Sequence, residues 1–253
     1  MASGPFSLEG SNALVTGASR GIGAAIAGAL AAAGADVACH GNSRAPDETC
    51  QRIQQLGRRS VALRGDMSDP ATPAALVDAA VRELGSVDLL INNAGTIRRA
   101  PSADTTDQDW DLVIGVNLSS VFRMCRAAGR HMLARGRGKI VNVASLLSFQ
   151  GGLTVPAYAA SKGGVAQLTK ALANEWEGKG INVNGIAPGY IRTDNTSQLQ
   201  QDATRSRQIL ERIPAGRWGE PEDLGGAAVF LCSRASDFVH GHILVVDGGW
   251  LGR

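Results

Sequence analysis

The chain is 253 residues long, 44% hydrophobic but only 4% aromatic, with a formal net charge of +2. That length buries a large core without disulfide or metal staples, and so small and scattered a charge argues against a nucleic-acid or anionic-membrane partner. Cys39, Cys50, Cys125 and Cys232 lie far apart, and His40, His131, His240 and His242 lack further ligands at metal-binding spacing, so reduced thiols and no metal site are expected.

The N-terminal stretch MASGPFSLEG has neither the basic region nor the apolar core of a leader. The longest uncharged run, 21–35, is too short for a bilayer. A cytoplasmic protein is expected.

In chain order, short apolar runs alternate with longer helical patterns. A strand at 12–16 (NALVT) precedes a helix at 21–33, where Ile22, Ile26 and Leu30 form one stripe. Strand 36–40 and helix 46–57 follow, then strand 60–64, helix 71–84, strand 87–91 and a long helix at 105–135. Strand 138–144 leads to a helix at 157–177, where Pro156 suits the first turn and Val165, Leu168, Leu172 and Trp176 recur at helical spacing. Strand 181–187, helix 221–233 and strand 242–247 complete the chain. This alternation predicts an α/β fold: a three-layer, doubly wound, Rossmann-type seven-stranded parallel sheet, with 1–253 as one domain. Residues 190–212 break the rhythm with a long, polar, partly helical insertion, expected to be a substrate lid.

Ligands of such sheets bind at the carboxyl ends of the strands, and the motifs collect there. TGASRGIG (16–23) spans the first strand–helix junction. Gly17, Gly21 and Gly23 allow a sharp turn and close backbone approach to a pyrophosphate at a helix N-terminus. GDMSD (65–69), NNAG (92–95) and APGYIRT (187–193) follow other strands; alone, each is an ordinary turn signal. Asn117 falls inside the long helix, where asparagine competes for backbone hydrogen bonds, so a local distortion is expected. Ser145 ends a strand and by itself reads as a cap. Tyr158 and Lys162, in VPAYAASKGG, project from one helix face at i, i+4 spacing. An isolated pair of this kind is usually a surface contact.

Taken together, TGxxxGIG, NNAG, Asn117, Ser145, YxxxK and PGxxxT stand in the order and spacing of the short-chain dehydrogenases/reductases, which the chain resembles over nearly its whole length. The segments RIPAGRWGEPEDL (212–224), LLSFQGG (146–152), GTIRR (95–99), TDNTSQL (193–199) and DGGWLGR (247–253) are similar to members acting on sugar acids. The resemblance implies an NAD(P)-dependent interconversion of a secondary alcohol and a ketone. Tyr158 is the implied general acid/base. Lys162 lowers its pKa and holds the nicotinamide ribose, Ser145 polarises the carbonyl, and Asn117 holds a relay water. Gly17, Ser19, Arg20, Gly21, Ile22, Gly23, Asp66, Met67, Asn93, Ala94, Gly95, Pro188, Gly189, Ile191 and Thr193 are the implied cofactor contacts, together with Tyr158 and Lys162. Arg98, Arg99, Arg205 and Arg217 are candidates for a substrate carboxylate.

Bringing a phenol from ~10 to ~7 requires roughly 4 kcal/mol; an ammonium ~5 Å away supplies about 3 kcal/mol at an effective dielectric of ~20. Lys162 therefore has the right sign and size. The second strand ends at Gly41 with no carboxylate to repel a 2′-phosphate, and Arg20 and Arg44 lie nearby, so the cofactor preference leans towards NADP(H). A homotetramer is expected from the family and from the apolar C-terminal end carrying Trp250 and Leu251. A 3-oxoacyl-[acyl carrier protein] reductase, another small-ketone reductase and a non-catalytic nucleotide-binding protein are the alternatives.

Overall fold

Seven parallel strands form one sheet: β1 (Asn12–Val15), β2 (Asp36–Gly41), β3 (Ser60–Arg64), β4 (Leu89–Asn92), β5 (Gly138–Val143), β6 (Ile181–Pro188) and β7 (Ile243–Val246). Their spatial order in the computed structural model is β3-β2-β1-β4-β5-β6-β7. The description covers residues 4–253; residues 1–3, where the stretch read for a leader begins, lie outside the described residues.

Alternation along the strands sends side chains to two separate cores. Ala13, Val15, Val37, Cys39, Leu89 and Ile91 point to one face. There they meet α1 (Gly21–Ala32), α2 (Asp47–Gln55) and α9 (Gly225–Cys232), through Ile26, Ile53 and Leu231. Leu14, Ala38, Leu90, Ile140 and Val183 point to the other. There they meet α3 (Thr72–Leu84), α5 (Ser120–Arg135) and α6 (Pro156–Trp176), through Leu76, Met124 and Val165. Both faces are covered, which is why the strands read as apolar runs without a polar side. All four cysteines are buried and free. No helix among the described residues is long and apolar enough to cross a membrane.

The chain departs from its predicted elements at two useful places. The helix expected over 105–135 is interrupted: α4 (Asp107–Ile114) passes into a wide π-helical turn at Gly115–Ser119 before α5 begins. Asn117 sits in that turn, as its poor helical fit implied. The helix expected from 221 starts as a 3-10 turn, Pro221–Leu224, and becomes α-helical only at Gly225.

The strand order reverses between β1 and β4, and the crevice opens there. A hydrogen-bond lock joins the two strand ends. Thr16 Oγ1 accepts the backbone N–H groups of Asn93 and Ala94, and the Asn93 amide donates to the carbonyls of Thr16 and Gly17. The expected insertion folds as a 3-10 turn at Asp194–Thr196, α7 (Ser197–Gln201) and α8 (Ala203–Arg212). Ile209 and Ile213 anchor it on Leu146, Trp218 and Trp250. Trp250 is only 5% exposed and packs within its own chain, against the Tyr190 ring at 4.6 Å. The C-terminal Trp therefore does not need a second subunit to cover it, which removes one reason for expecting an assembly.

Candidate active site

The first turns of α6 and the end of β5 build the centre of the cleft. Lys162 is 4% exposed, and its ammonium donates to the Val143 carbonyl at 2.6 Å. Its own carbonyl accepts from the Ser148 hydroxyl at 2.7 Å. Ser148 also accepts the Ser145 backbone N–H, while Ser145 Oγ accepts the N–H of Leu147, so the two serines form a capping box around Leu146–Ser148. Ser145 is thus the cap its bare sequence suggests, and its hydroxyl also faces Tyr158 and acts to lower that phenol's pKa.

The Lys162 ammonium lies 5.7 Å from the centre of the Tyr158 ring. Burial pushes the phenol above its ordinary value, against the opposing pulls of the Ser145 hydroxyl and the Arg99 charge. Burial also brings Lys162 down, to about 8. The lowering expected of Lys162 is therefore not reached by the protein's own groups: desolvation of the phenol is the larger effect.

Asn117 is clamped. Its Oδ1 accepts the Thr96 N–H at 2.8 Å, and its amide donates to the Thr96 carbonyl and to Ser161 Oγ. Both amide hydrogens are spent, so the side chain fixes the loop after NNAG rather than offering a free donor to a water.

The expected dinucleotide cleft, of about 460 Å³, is lined by Gly17, Ser19, Arg20, Gly21, Ile22, Gly23, Asn93, Ala94, Gly95 and Thr193. Its shape fits a pyrophosphate. A Cβ on Gly23 would collide with the Gly17 carbonyl, and Gly17 and Gly21 adopt φ of +64° and +55°. The N-terminus of α1 has no side-chain cap and no acidic residue in its first turn, leaving its N–H groups for an anion. His40, passed over in the sequence, is a strut beneath this loop. Its Nδ1 accepts the Gly17 N–H and its Nε2 donates to the Gly65 carbonyl, which requires the neutral ring; burial lowers its pKa accordingly. A histidine ending a buried strand beside the glycine loop was the available signal. Asp66 is exposed and caps its own turn through Ser68, whereas Met67 is buried in the core, which leaves only its backbone for a ligand. The Ile191 side chain is likewise in the core.

A second cleft, of about 530 Å³, contains Ser145, Tyr158, Pro188 and Gly189 and runs beneath α8. Arg99 and Arg205 line it. Arg98 instead pairs with Asp109 at 3.2 Å, and Arg217 forms two bonds to Asp223 beside Gly219, outside this cleft. Carboxylates of their own chain claim both. Arg212, Gln150 and Trp250 line the cleft and were not anticipated. Their contributions come from three separate segments, which no local motif links.

A family profile described as enoyl-(acyl carrier protein) reductase matches residues 17–251. The chain is 55% identical to 2-dehydro-3-deoxy-D-gluconate 5-dehydrogenase of Bacillus subtilis, over 98% of this chain and 97% of that one. Among solved structures, it matches an Agrobacterium tumefaciens protein assigned as a 2-deoxy-D-gluconate 3-dehydrogenase, with bound NADP, at 58% identity and a TM-score of 0.92; 98% of this chain and 99% of that one are covered. A Beutenbergia cavernae protein assigned as an NAD(P)-dependent gluconate 5-dehydrogenase, with NADP bound at low occupancy, matches at 48% identity and a TM-score of 0.94, covering 99% and 100%.

The buried ammonium makes a prediction about stability. Lys162 has a folded pKa of about 8, below the ~10.4 of an unfolded lysine, so the unfolded chain binds more protons between these values. The penalty is complete below pH ~8 and relieved as pH rises towards ~10.4. In Lys162→Met, measured without added cofactor, the Tm difference from wild type should therefore become less favourable to the variant by several degrees between pH ~7 and ~10. A difference that is flat or moves the other way contradicts the buried charge.

Proposed function

The chain belongs to the short-chain dehydrogenase/reductase family and is an NAD(P)-dependent oxidoreductase, and from that premise we propose that it oxidises a secondary alcohol of a sugar acid, reversibly, to the ketone. The substrate is of the 2-dehydro-3-deoxy-D-gluconate or 2-deoxy-D-gluconate type. One observation carries this reading. The cleft holding Tyr158 and Ser145 is also lined by Arg99, Arg205 and Arg212, and by no Asp or Glu among the described residues. Elsewhere the lid region's arginines are matched: Arg192 with Glu220, Arg207 with Glu211, Arg217 with Asp223. Aliphatic side chains such as Leu147, Leu153 and Ile209 also line the cleft, but three unmatched cations beside a catalytic tyrosine favour an anionic, hydroxylated substrate over an uncharged acyl chain.

The roles follow from the geometry. Tyr158 gives its phenolic proton to the carbonyl oxygen in reduction and takes it back in oxidation. Ser145, held by its capping box, donates to that same oxygen and orients it. The bound nicotinamide supplies or accepts the hydride. Lys162 keeps a positive charge beside the phenol and has ammonium hydrogens left, beyond the Val143 bond, for ribose hydroxyls. Asn117 acts by position, holding the loop after NNAG. Thr193 stands over Gly21, where a Cβ would meet its methyl group at 3.4 Å, and closes the cofactor cleft from the lid side. Residues 190–212 serve as the lid of a single domain.

The cofactor preference leans towards NADP(H). A Cβ on Gly41 would collide with the Arg44 carbonyl, so an acidic side chain does not fit at the end of β2 without moving the loop. Arg20 and Arg44 now pair with the exposed carboxylates of Asp194 and Glu48. Such surface pairs are worth at most about 1 kcal/mol, so a phosphate can replace them.

We also place the protein as a cytoplasmic homotetramer. The half-exposed Trp110 and Phe122 lie on α4 and α5, and Phe238, 99% exposed, precedes β7. Light scattering at micromolar concentration should give four subunits; a monomer there contradicts the assembly.

The function itself is tested by a panel of sugar acids, acetoacetyl thioesters and simple ketones, each run with NADH and NADPH. Sugar acids should have the highest kcat/KM, with NADPH at least equal to NADH. Faster turnover of the thioester would make the chain a 3-oxoacyl reductase, and a hundredfold preference for NADH would reverse the cofactor assignment.

A further inference from the structure

Arg212, the last residue of α8, lies with its Cζ 4.1 Å from the centre of the Trp250 ring. Gln150, after β5, braces both. Its Oε1 accepts from the Trp250 indole N–H at 3.3 Å and from Arg212 Nη2 at 3.5 Å. Both partners can only donate, so the accepting atom is the amide oxygen, which fixes the orientation of the Gln150 amide. Its NH2 group then remains as a donor. At the chain end, Arg253 Nη1 donates to the Glu211 carbonyl at 2.9 Å, tying the terminus to the end of α8. A guanidinium stacked on an indole is desolvated on one face and keeps its planar donor edge for a carboxylate.

We infer that Arg212, oriented by Trp250 and Gln150, binds the substrate carboxylate. This rests on the sugar-acid reading above.

An electrostatic argument separates Arg212 from Arg99, the other arginine of the cleft with a clear position. The Arg99 charge acts on the Tyr158 phenol, favouring its ionised form, and Arg212 is not among the groups that do. A carboxylate seated on Arg99 would cancel that help and set an anion beside a phenol that must ionise, which raises its pKa further. Seated on Arg212, it does neither. Arg205 lacks the bracing: its Nη1 reaches only Gln208, on its own helix.

The test compares the sugar acid that wild type turns over best with its methyl ester. Arg212→Gln removes the charge, and Gln150→Glu, nearly isosteric, places a competing carboxylate on Arg212 without disturbing the lid's apolar anchors. Both should cut the acid-over-ester ratio of kcat/KM at least tenfold, chiefly through KM. Arg99→Gln should instead shift the pH profile of kcat and keep most of the ratio. If wild type prefers the acid and Arg212→Gln keeps that preference, or if Arg99→Gln alone abolishes it, the Arg212 assignment is overturned. If wild type itself shows no preference for the acid, the sugar-acid reading falls and takes the assignment with it.

Discussion

A lysine ammonium buried to 4% exposure against a strand-end carbonyl is the constraint around which this site is assembled. Lys162 is held twice by the segment that ends β5, through its side chain to Val143 and through its carbonyl from Ser148. Those two bonds set α6 against the loop carrying Ser145, so a serine and a tyrosine thirteen residues apart come to face one another. The arrangement costs stability, since burial disfavours both the ammonium and the phenolate. It also explains why the chemistry waits for the cofactor. The protein's own charges do not overcome desolvation of the phenol, and an oxidised nicotinamide, when bound, would add a positive ring that acts in the same direction as Arg99.

The other half of the site depends on missing side chains and on backbone held from below. Gly17 and Gly23 leave space that any Cβ would fill, and the Thr16–Asn93 lock fixes the loop to the end of β4. His40 supports the same loop from β2, in the neutral form its burial favours. The open N-terminus of α1 above these struts is a place for an anion, because its N-cap residue makes no side-chain cap bond and its first turn holds no acid. The substrate half is built differently. Its charges come from long side chains on the lid and after β4, none of them paired with a carboxylate lining the cleft, over a floor fixed by Leu146, Trp218 and Trp250.

Local patterns carried most of the architecture. Apolar runs covered on both faces and regular strand–helix alternation predicted all seven strands within a few residues, and the glycine loop fell where a doubly wound sheet needs it. Asn117 announced its own distortion because asparagine suits a helix interior poorly. What local patterns could not carry were pairings across distance. Nothing in GTIRR says that Arg98 meets Asp109 while Arg99 enters the cleft, or that Arg217 is taken by Asp223. Trp250 looked like an interface residue because the sequence does not show that α8 folds back over it. The net effect on Tyr158 was misjudged for a related reason. An i, i+4 lysine is visible in the sequence, but the burial that raises the phenol, and the Ser145 and Arg99 groups that oppose it, come together only in the whole fold.

The central claim is that Tyr158 becomes an accessible base only when its buried surroundings gain a further positive charge. Only Tyr158 and Tyr190 are present in the chain, so Tyr190→Phe leaves a single phenol to follow. Its ionisation can be titrated by near-ultraviolet phenolate absorbance, without and with saturating oxidised cofactor. Without cofactor the phenol should titrate above the ordinary value of a tyrosine, as its burial requires, and saturating oxidised cofactor should bring the midpoint down. A midpoint already near neutral without cofactor, or one that oxidised cofactor leaves unmoved, would contradict the account.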